Sequence, residues 1–329
     1  MTFHLSFCKQ LLGVRRQTSN HAVLQEIGLL PISLHITKIA IRNWERITDK
    51  RANPLLLASH ADAYAENLPW ASEVKEIFAS NGMLETYLLK VEGSLEDTEP
   101  NYIEKTLMQR MTDQYNQTSF GTINSSRKLK TLRRLKSTPG RETYLREVEI
   151  SKHRVAMSRL RLCSHSLESE RGRYDETDAE KRHCQYCKAH GKEEVEDEAH
   201  FLVSCPQHNE LRKSLLPQNI LHNNSLSKED KLAQILSESE HIKSVAKFIY
   251  LAFEDRKLSL EVLGSIDALI DSVDKYITHA SDPQKNRYGI LNPREDGMKI
   301  TLLRISSCVI KNCSEDCMKF TLSRDFLKR

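Results

Sequence analysis

Four potential metal ligands occur in one short stretch of the chain, in the order C-x2-C-x12-H-x4-C: Cys184, Cys187, His200 and Cys205. Thiolates and imidazole are the ligands that Zn²⁺ takes in structural sites, where four of them complete a tetrahedron. The spacings between them lie within the range found in zinc sites. The pattern therefore predicts a structural zinc site, and it constrains the surrounding backbone more than any other feature of the sequence.

The second half of the pattern also predicts local geometry. His200 and Cys205 are five positions apart, which places them roughly 140° apart on an ideal α-helix, so both cannot be mid-helix ligands. Pro206 disfavours the α conformation at Cys205. We expect His200 on a short helix and Cys205 at or just beyond its end. The residues between them would form a small apolar cap: Phe201, Leu202 and Val203.

Other residues compete with these assignments. His183, His190 and His208 lie close enough in sequence to replace His200, and of the four only His200 adjoins an apolar run. The alternative without metal is that the first two cysteines are exposed thiols, the histidine lies at the surface and the third cysteine is a small buried side chain. Under that alternative the four side chains would not meet.

The pattern is typical of a structural site rather than a catalytic one. A hydrolytic zinc keeps one position open for water and needs an acid or base beside it, whereas four protein ligands would close the shell here. Glu198 lies two positions before His200 and could be compared with the acid of zinc deaminases. In those enzymes the acid follows the histidine and the cysteine pair comes later. We therefore predict no catalytic residue and no small-molecule substrate.

Hydrophobic periodicity predicts a mainly α-helical protein. The chain is 39% hydrophobic and 29% charged, with a formal net charge of +4, which suits two or three modest cores. Apolar residues recur at helical spacing in 32–47, and further helices are predicted at 74–78 and 103–111. The stripes in 242–253 and 262–277 predict two helices packed as a hairpin, or one longer helix with a bend.

These elements suggest five regions along the chain. They are a helical region 1–120, a basic helical connector 121–175, a zinc element with a short hairpin plus helix 176–215, a helical hairpin 216–280 and an unassigned tail 281–329.

No segment predicts export or membrane insertion. Residues 1–16 contain apolar side chains, but polar residues interrupt them, which is not the pattern of a signal peptide. The longest apolar run elsewhere, 248–253, is far below the roughly 18 residues of a membrane helix. Eight cysteines without a secretory signal are more typical of reduced thiols or metal ligands than of disulfides. We expect an intracellular protein, nuclear or cytoplasmic, with no membrane partner.

The residues around the metal-ligand pattern resemble a known family. They are SHSLESERGR at 164–173, RHCQYC at 182–187 and EDEAHFLVSCP at 196–206. These segments are similar to the region downstream of the polymerase domain in animal non-LTR (LINE-like) retrotransposon reverse transcriptases, which carries a CCHC zinc element near its C-terminus. Residues 12–28 look like the segment after the polymerase thumb, and 245–253 like the helix after the zinc element. The resemblance covers residues 7–260 and implies the same four zinc ligands.

The same resemblance implies that this chain does not polymerise nucleotides. A polymerase palm needs paired aspartates to hold two metal ions, and no Asp-Asp pair occurs in the sequence. Met1 stands just before the post-thumb-like segment, and residues 261–329 match no recognised segment. The cysteines of that last stretch lack zinc spacing: Cys308, Cys313 and Cys317. The expectation is a truncated or domesticated retroelement tail that is not an enzyme, although its ancestor resembles an RNA-directed DNA polymerase.

A one-sided basic block precedes the zinc element, because residues 127–146 contain eight basic side chains and the single acid Glu142. In the family that the sequence resembles, this region is thought to hold template RNA or target DNA. We expect salt-sensitive binding of RNA or DNA through Arg127, Lys128, Lys130, Arg133, Arg134, Arg159, Arg161, Arg171 and Arg173. Gly172 would let the backbone approach a phosphate, and Tyr186 would stack on a base.

The alternative is that these basic residues form solvated helix faces paired with nearby glutamates, and that Arg171 bonds local carbonyls. The acidic stretch 193–198 would repel a phosphate backbone, so the zinc loop itself is not the expected contact. The rival function is a helical protein-interaction module in which zinc staples helices and the basic block docks an acidic partner. An intact retroelement polymerase is a further candidate partner.

Overall fold

The computed structural model of the protein describes residues 2–49, 51–95, 99 and 101–280, with the backbone alone at Thr2 and at 273–280. The tail 281–329 lies outside the described residues. Within them the chain is mainly α-helical, as predicted, and its one β contact is an isolated antiparallel bridge. The helices are α1 (Thr2–Leu12), α2 (Asn20–Ile27), α3 (Ile32–Ile47), α4 (Pro54–Ala65), α5 (Pro69–Ser80), α6 (Leu84–Val91), α7 (Tyr102–Ser125), α8 (Lys130–Leu135), α9 (Tyr144–Glu147), α10 (Ser151–Arg161), α11 (Glu168–Tyr174), α12 (Gln185–Ala189), α13 (Asn209–Leu215), α14 (Gln218–Leu221), α15 (Lys228–Ser237) and α16 (Ile242–Ala280).

Three of the predicted helices are confirmed. The stretch 32–47 is α3, while 74–78 lies within α5 and 103–111 lies within α7. Because α7 continues to Ser125, the predicted boundary after residue 120 falls inside a helix.

A first core lies between α3, α5, α6 and α7. Trp44 packs against Phe78 with ring centroids 4.7 Å apart and stacks on Tyr87 at 5.2 Å, and all three side chains are buried. Arg42 donates two hydrogen bonds to Glu104, at 2.8 and 3.0 Å, and so joins α3 to α7 at the edge of the core. Aromatic packing therefore joins α3 to α5 and α6, and a bidentate ion pair joins it to α7.

A second core forms where α1 and α2 pack against α7 and α8. The Ser19 hydroxyl caps the start of α2 by accepting from the Ala22 amide, and Gly28 (φ +73°) ends the helix. A Cβ at Gly28 would lie 2.3 Å from the Arg141 nitrogen, so the close approach of this backbone requires glycine. This contact brings α2 beside the segment that leads into α9.

A third core carries the functional region. Buried side chains of α10, α15 and α16 surround Phe201 and Leu202, which follow the candidate ligand His200. Phe201 stacks on Phe253 of α16 at 4.5 Å. The apolar residues between His200 and Cys205 are thus not a separate cap, because they form part of the main core of this region.

The segment after Ile242 corrects one prediction. The structure has a single helix, α16, where the sequence predicted a helical hairpin within 216–280. The proposed connection at 254–260 contains neither glycine nor proline, and its residues favour helix, so nothing in it ends the helix. By internal contacts the chain divides into two compact units, Met1–Val262 and Leu263–Arg329, and the site lies in the first. No single described helix is long and apolar enough to cross a membrane, although the bent pair α2 and α3 passes by length and composition.

Candidate metal centre and basic cleft

A short antiparallel contact of the backbone precedes the first cysteine pair. The Cys184 amide donates to the Glu194 carbonyl at 2.8 Å, and the Glu196 amide donates to the Arg182 carbonyl at 2.8 Å. The chain thereby folds back on itself around the first two ligands. This is the short hairpin expected for the zinc element, reduced to a single bridge.

Cys184 and Cys187 lie on one tight turn at the start of α12. Cys184 has extended backbone (φ −63°, ψ 119°) and directly precedes the helix, while Cys187 lies within it. The Cys187 carbonyl accepts from the amides of His190 and Lys192, at 3.0 and 2.9 Å. Because these hydrogen bonds hold the turn closed, the two thiols reach the same point.

Of the other two ligands, His200 begins a π-helical turn, His200–Ser204, and Cys205 directly follows it. The Cys205 amide donates to the His200 carbonyl at 2.7 Å, and the Asp197 carboxylate accepts from the His200 amide at 2.7 Å. A π-helical turn closes an i→i+5 hydrogen bond, so residues five apart return to the same side, which they do not do on an α-helix. Cys205 itself has extended backbone, which confirms the prediction that it lies just beyond a short helix carrying His200.

The four ligand atoms meet at the separations of a tetrahedral site. Cys184 Sγ lies 3.9 Å from Cys205 Sγ, Cys187 Sγ lies 3.5 Å from His200 Nε2, and all four atoms lie within 4.8 Å of one another. A tetrahedral zinc has S···S edges of about 3.8 Å and S···N edges of about 3.5 Å. The four side chains are buried, and the cysteines are not paired in disulfides. The cluster can hold a metal ion.

The three thiols lie close together, and their pKa values therefore differ from one another. The Cys205 thiol donates to Cys184, which lowers the pKa of Cys184 to about 3. Burial and the negative charge of Cys184 raise the pKa of Cys187 to about 11. The hydrogen bond to Cys184 also raises the pKa of Cys205. Three thiolates cannot coexist here without a cation, so an ion that binds them must release protons.

Two buried arginines support the cluster, and the sequence analysis did not identify either. Arg212 of α13 donates to the Leu202 carbonyl at 2.9 Å and to the Cys205 carbonyl at 2.8 Å, which holds the turn after His200. Arg256 of α16 donates to both oxygens of Glu196, at 2.7 and 2.6 Å. The sequence could have indicated that Arg256 is buried, because it lies seven residues after Ile249 and so on the apolar face of α16.

The competing ligands lie elsewhere. The His190 ring contacts the Tyr186 carbonyl at 2.8 Å and stacks on the Tyr186 ring at 4.3 Å, and His208 bonds Asp255 at 3.0 Å. Among the described residues, His200 is thus the histidine that joins the three cysteines.

Glu198 does not act on the metal cluster. Its Oε1 atom lies 3.0 Å from His165 Nε2 and accepts from the Cys163 thiol at 3.3 Å. The Leu167 amide donates to the other ring nitrogen of His165 at 3.4 Å, so the proton lies on Nε2 and points to the carboxylate. This network ties the end of α10 to the segment before His200.

Five of the nine residues predicted to bind nucleic acid line one cleft of about 370 Å³: Lys128, Lys130, Arg133, Arg134 and Arg173. Arg182 adds a sixth basic side chain. Four acidic residues also line the cleft, so its excess charge is modest: Glu170, Asp197, Glu198 and Glu229. The segment 195–199 that leads to His200 forms one wall, which places the cleft directly beside the metal cluster.

Carboxylates neutralise some of these cations. Glu170 is buried and pairs with Lys128 at 2.8 Å and with Arg173 at 3.0 Å, while Arg134 pairs with Asp230 at 2.8 Å. Arg133 bonds the Asn124 carbonyl instead. Lys130 is exposed and has no partner among the described residues. The cleft therefore combines paired cations with cations that no acid in the described part of the chain neutralises.

The other predicted residues lie outside the cleft, and the structure removes one of them from the set. The Arg161 guanidinium is buried and pairs with Glu26 and Glu142, so no phosphate can reach it. Arg159 bonds the Gly13 carbonyl at 2.6 Å, Arg171 is exposed beside Glu168 at 3.4 Å, and Arg127 is exposed.

The expected approach of a phosphate to Gly172 is also corrected. Gly172 is buried, and a Cβ there would lie 2.8 Å from Arg182 Cγ, so the Arg182 side chain occupies the space above this glycine.

Comparisons of the chain with protein-family models, with curated proteins and with solved structures give no match. The chemistry of these side chains is therefore what points to a function.

Proposed function

We propose that Cys184, Cys187, His200 and Cys205 hold a structural Zn²⁺ ion. The observation that carries this proposal is the set of ligand separations, 3.9 Å for S···S and 3.5 Å for S···N, which suit a tetrahedral ion. Three thiolates and one imidazole favour zinc over Ca²⁺ or Mg²⁺, which prefer oxygen ligands. Four protein ligands leave no position for a reacting water, so the ion's role is to staple the hairpin to the turn after His200.

Metal analysis tests the zinc assignment. Purified protein is expected to contain one equivalent of zinc, and the double variant Cys184→Ser, Cys187→Ser none. Cys8→Ser is the matched control, because Cys8 is an equally buried cysteine outside the cluster. Equal zinc content in the wild type and the double variant would exclude the site.

We further propose that the chain is the C-terminal, post-polymerase part of a non-LTR retrotransposon reverse transcriptase and that it binds RNA or DNA. Two features support this function: the motif resemblance around the four ligands, and the convergence of five predicted basic residues on one cleft beside them. Phosphate contacts by lysine and arginine dominate such binding. The chain would contribute binding and not polymerisation, since it has no Asp-Asp pair.

Gel-shift titration at two ionic strengths tests the nucleic-acid proposal. Affinity for single-stranded RNA or duplex DNA should fall steeply between low and high salt, and the double variant Arg133→Ala, Arg134→Ala should bind more weakly with a shallower salt dependence. Arg46→Ala serves as the control, because Arg46 is exposed on α3 and lies outside both the cleft and the set of predicted binding residues. Absence of any shift at low salt would exclude the function.

A protein-interaction module is the second candidate, and one observation favours it. Phe3, Phe7 and Leu11 lie on one face of α1 and are 86%, 58% and 59% exposed. An exposed apolar stripe of this kind is typical of a contact with another protein, such as an intact retroelement polymerase. Such binding would depend on the stripe and persist at high salt, which distinguishes it from nucleic-acid binding.

A further inference from the structure

The basic cleft contains a buried hydroxyl without a partner. Ser169 lies on α11 and lines the cleft, and its Oγ atom is buried with no hydrogen bond among the described residues. Leaving a buried hydroxyl unsatisfied costs about 1–3 kcal/mol, so native proteins supply a partner. A ligand oxygen in the cleft would be one.

Positive charge lies next to this hydroxyl. Arg182 donates to the Ser169 carbonyl at 3.0 Å and to the Thr177 carbonyl, and no carboxylate of the described residues pairs with it. Gly172 provides the space for this side chain. Arg173 lies on the same helix and also lines the cleft. Glu170 pairs with Arg173 at 3.0 Å, so Arg182 supplies the positive charge that no described carboxylate neutralises. A hydroxyl donor beside such a guanidinium group is the chemistry that recognises a phosphate oxygen.

The size and lining of the cleft limit the kinds of ligand that can bind in it. At about 370 Å³ it is the size of a small-molecule pocket, which admits a nucleotide unit but not a double helix. Its lining contains no aromatic side chain within the described part of the chain, so it offers no platform on which a base can stack. Recognition there would depend on phosphate and not on the identity of the base.

We infer that the cleft around Ser169, Arg173 and Arg182 is a phosphate subsite that takes a backbone phosphate of single-stranded nucleic acid, independently of base sequence. The inference rests on the proposed nucleic-acid function and names its substrate class. A free nucleotide or pyrophosphate presents the same group, so it would enter the same subsite.

The test is fluorescence anisotropy on the full chain with labelled oligo(dT), oligo(dA) and a duplex of the same length. Equal affinity for the two single strands, weaker binding of the duplex and competition by pyrophosphate are expected. Ser169→Ala should weaken single-strand binding about fivefold through the loss of one hydrogen bond. Thermal unfolding should show that Ser169→Ala is as stable as the wild type or more so, because it removes an unsatisfied hydroxyl.

Ser166→Ala is the matched control, since Ser166 is an exposed serine three residues away that does not line the cleft. Single-strand binding that is unchanged by Ser169→Ala and by pyrophosphate would overturn the subsite while leaving the nucleic-acid function intact. Pyrophosphate binding that is weakened by Ser169→Ala, without binding of any oligonucleotide, would support a phosphate subsite but exclude nucleic acid as its source. No binding of any probe would overturn both.

Discussion

The metal cluster and the basic cleft adjoin each other but are built in opposite ways. Backbone hydrogen bonds over short sequence distances hold the four ligands, and their side chains are buried. The cleft side chains come from the segment that contains α8, from α11, from α15 and from the hairpin, and most are exposed or partly exposed. The first region has one geometry, which suits a metal ion, whereas the second has charges that can exchange partners. Changes in the cluster should therefore affect stability, and changes in the cleft should affect binding.

The largest effect is expected from loss of the metal ligands. Cys184→Ser combined with Cys187→Ser should destabilise the protein by several kcal/mol, because structural zinc contributes about 10–16 kcal/mol to small metal-dependent domains and this unit also packs on the core of α16. Chemical denaturation of the variant and of Cys8→Ser would measure the difference. Equal unfolding midpoints would mean that the cluster does not organise this region.

The next effect tests the support behind the cluster. Arg256→Met leaves the buried Glu196 without its partner, which should cost about 3–5 kcal/mol. The double variant Arg256→Met, Glu196→Leu should recover part of that loss, because it removes the unpaired carboxylate but leaves the Glu168 amide without its acceptor. The control is Arg51→Met, since Arg51 is an exposed partner of Asp49 and its loss should change stability by less than about 1 kcal/mol.

A smaller effect, on metal affinity, follows from the thiol pKa values. Without metal, Cys184 is ionised at neutral pH, whereas the raised pKa values keep Cys187 and Cys205 protonated. Zinc binding should therefore release about two protons, so that affinity falls about a hundredfold for each unit by which the pH decreases. Competition titrations with a chromophoric chelator at pH 6.5 and 7.5 would measure this. A pH-independent affinity would contradict the assignment of thiolate ligands.

The smallest expected effect is on nucleic-acid affinity and concerns one ion pair at the cleft. Arg134 pairs with Asp230 on the surface, where such an ion pair contributes little to stability. Asp230→Asn should free Arg134 and tighten nucleic-acid binding a few-fold at low salt, with no change in unfolding midpoint. Asp113→Asn, which removes an exposed acid of α7, is the control for net charge alone. Equal gains in the two variants would show that the effect is not specific to the cleft.

The two regions also differ in how far the sequence could predict them. The four candidate ligands lie in one short stretch, 184–205, and the extended backbone at Cys205 precedes a proline, so spacing and Pro206 were sufficient to predict both. The π-helical turn was not predictable, because the competing α-helical turn differs by only one hydrogen-bond step. The prediction for Arg161 was wrong because its partner Glu26 lies 135 positions away, a pairing that only the fold creates.

The sequence was also insufficient to predict the length of α16 and the role of Arg182. The helical periodicity of 242–277 was compatible with a hairpin and with one longer helix, and the structure has one helix in which Val262 and Leu269 are exposed. The sequence at 254–260 contains neither glycine nor proline that would have marked a helix end. No role was predicted for Arg182, because its role depends on a contact with Gly172 of α11. Residue type and spacing therefore predicted the cluster, while the partners of the charged side chains required the tertiary structure.

The carboxylate of Glu196 has a consequence for how chains of this kind can diverge. It accepts from Arg256 of α16 and, at 2.8 Å, from the Glu168 amide at the start of α11, so three segments share one anion. A single substitution at position 196 or 256 leaves the remaining charged side chain buried without its partner. Among related chains the two positions should therefore change together or not at all, and a homologue with an apolar residue at one should carry an apolar residue at the other.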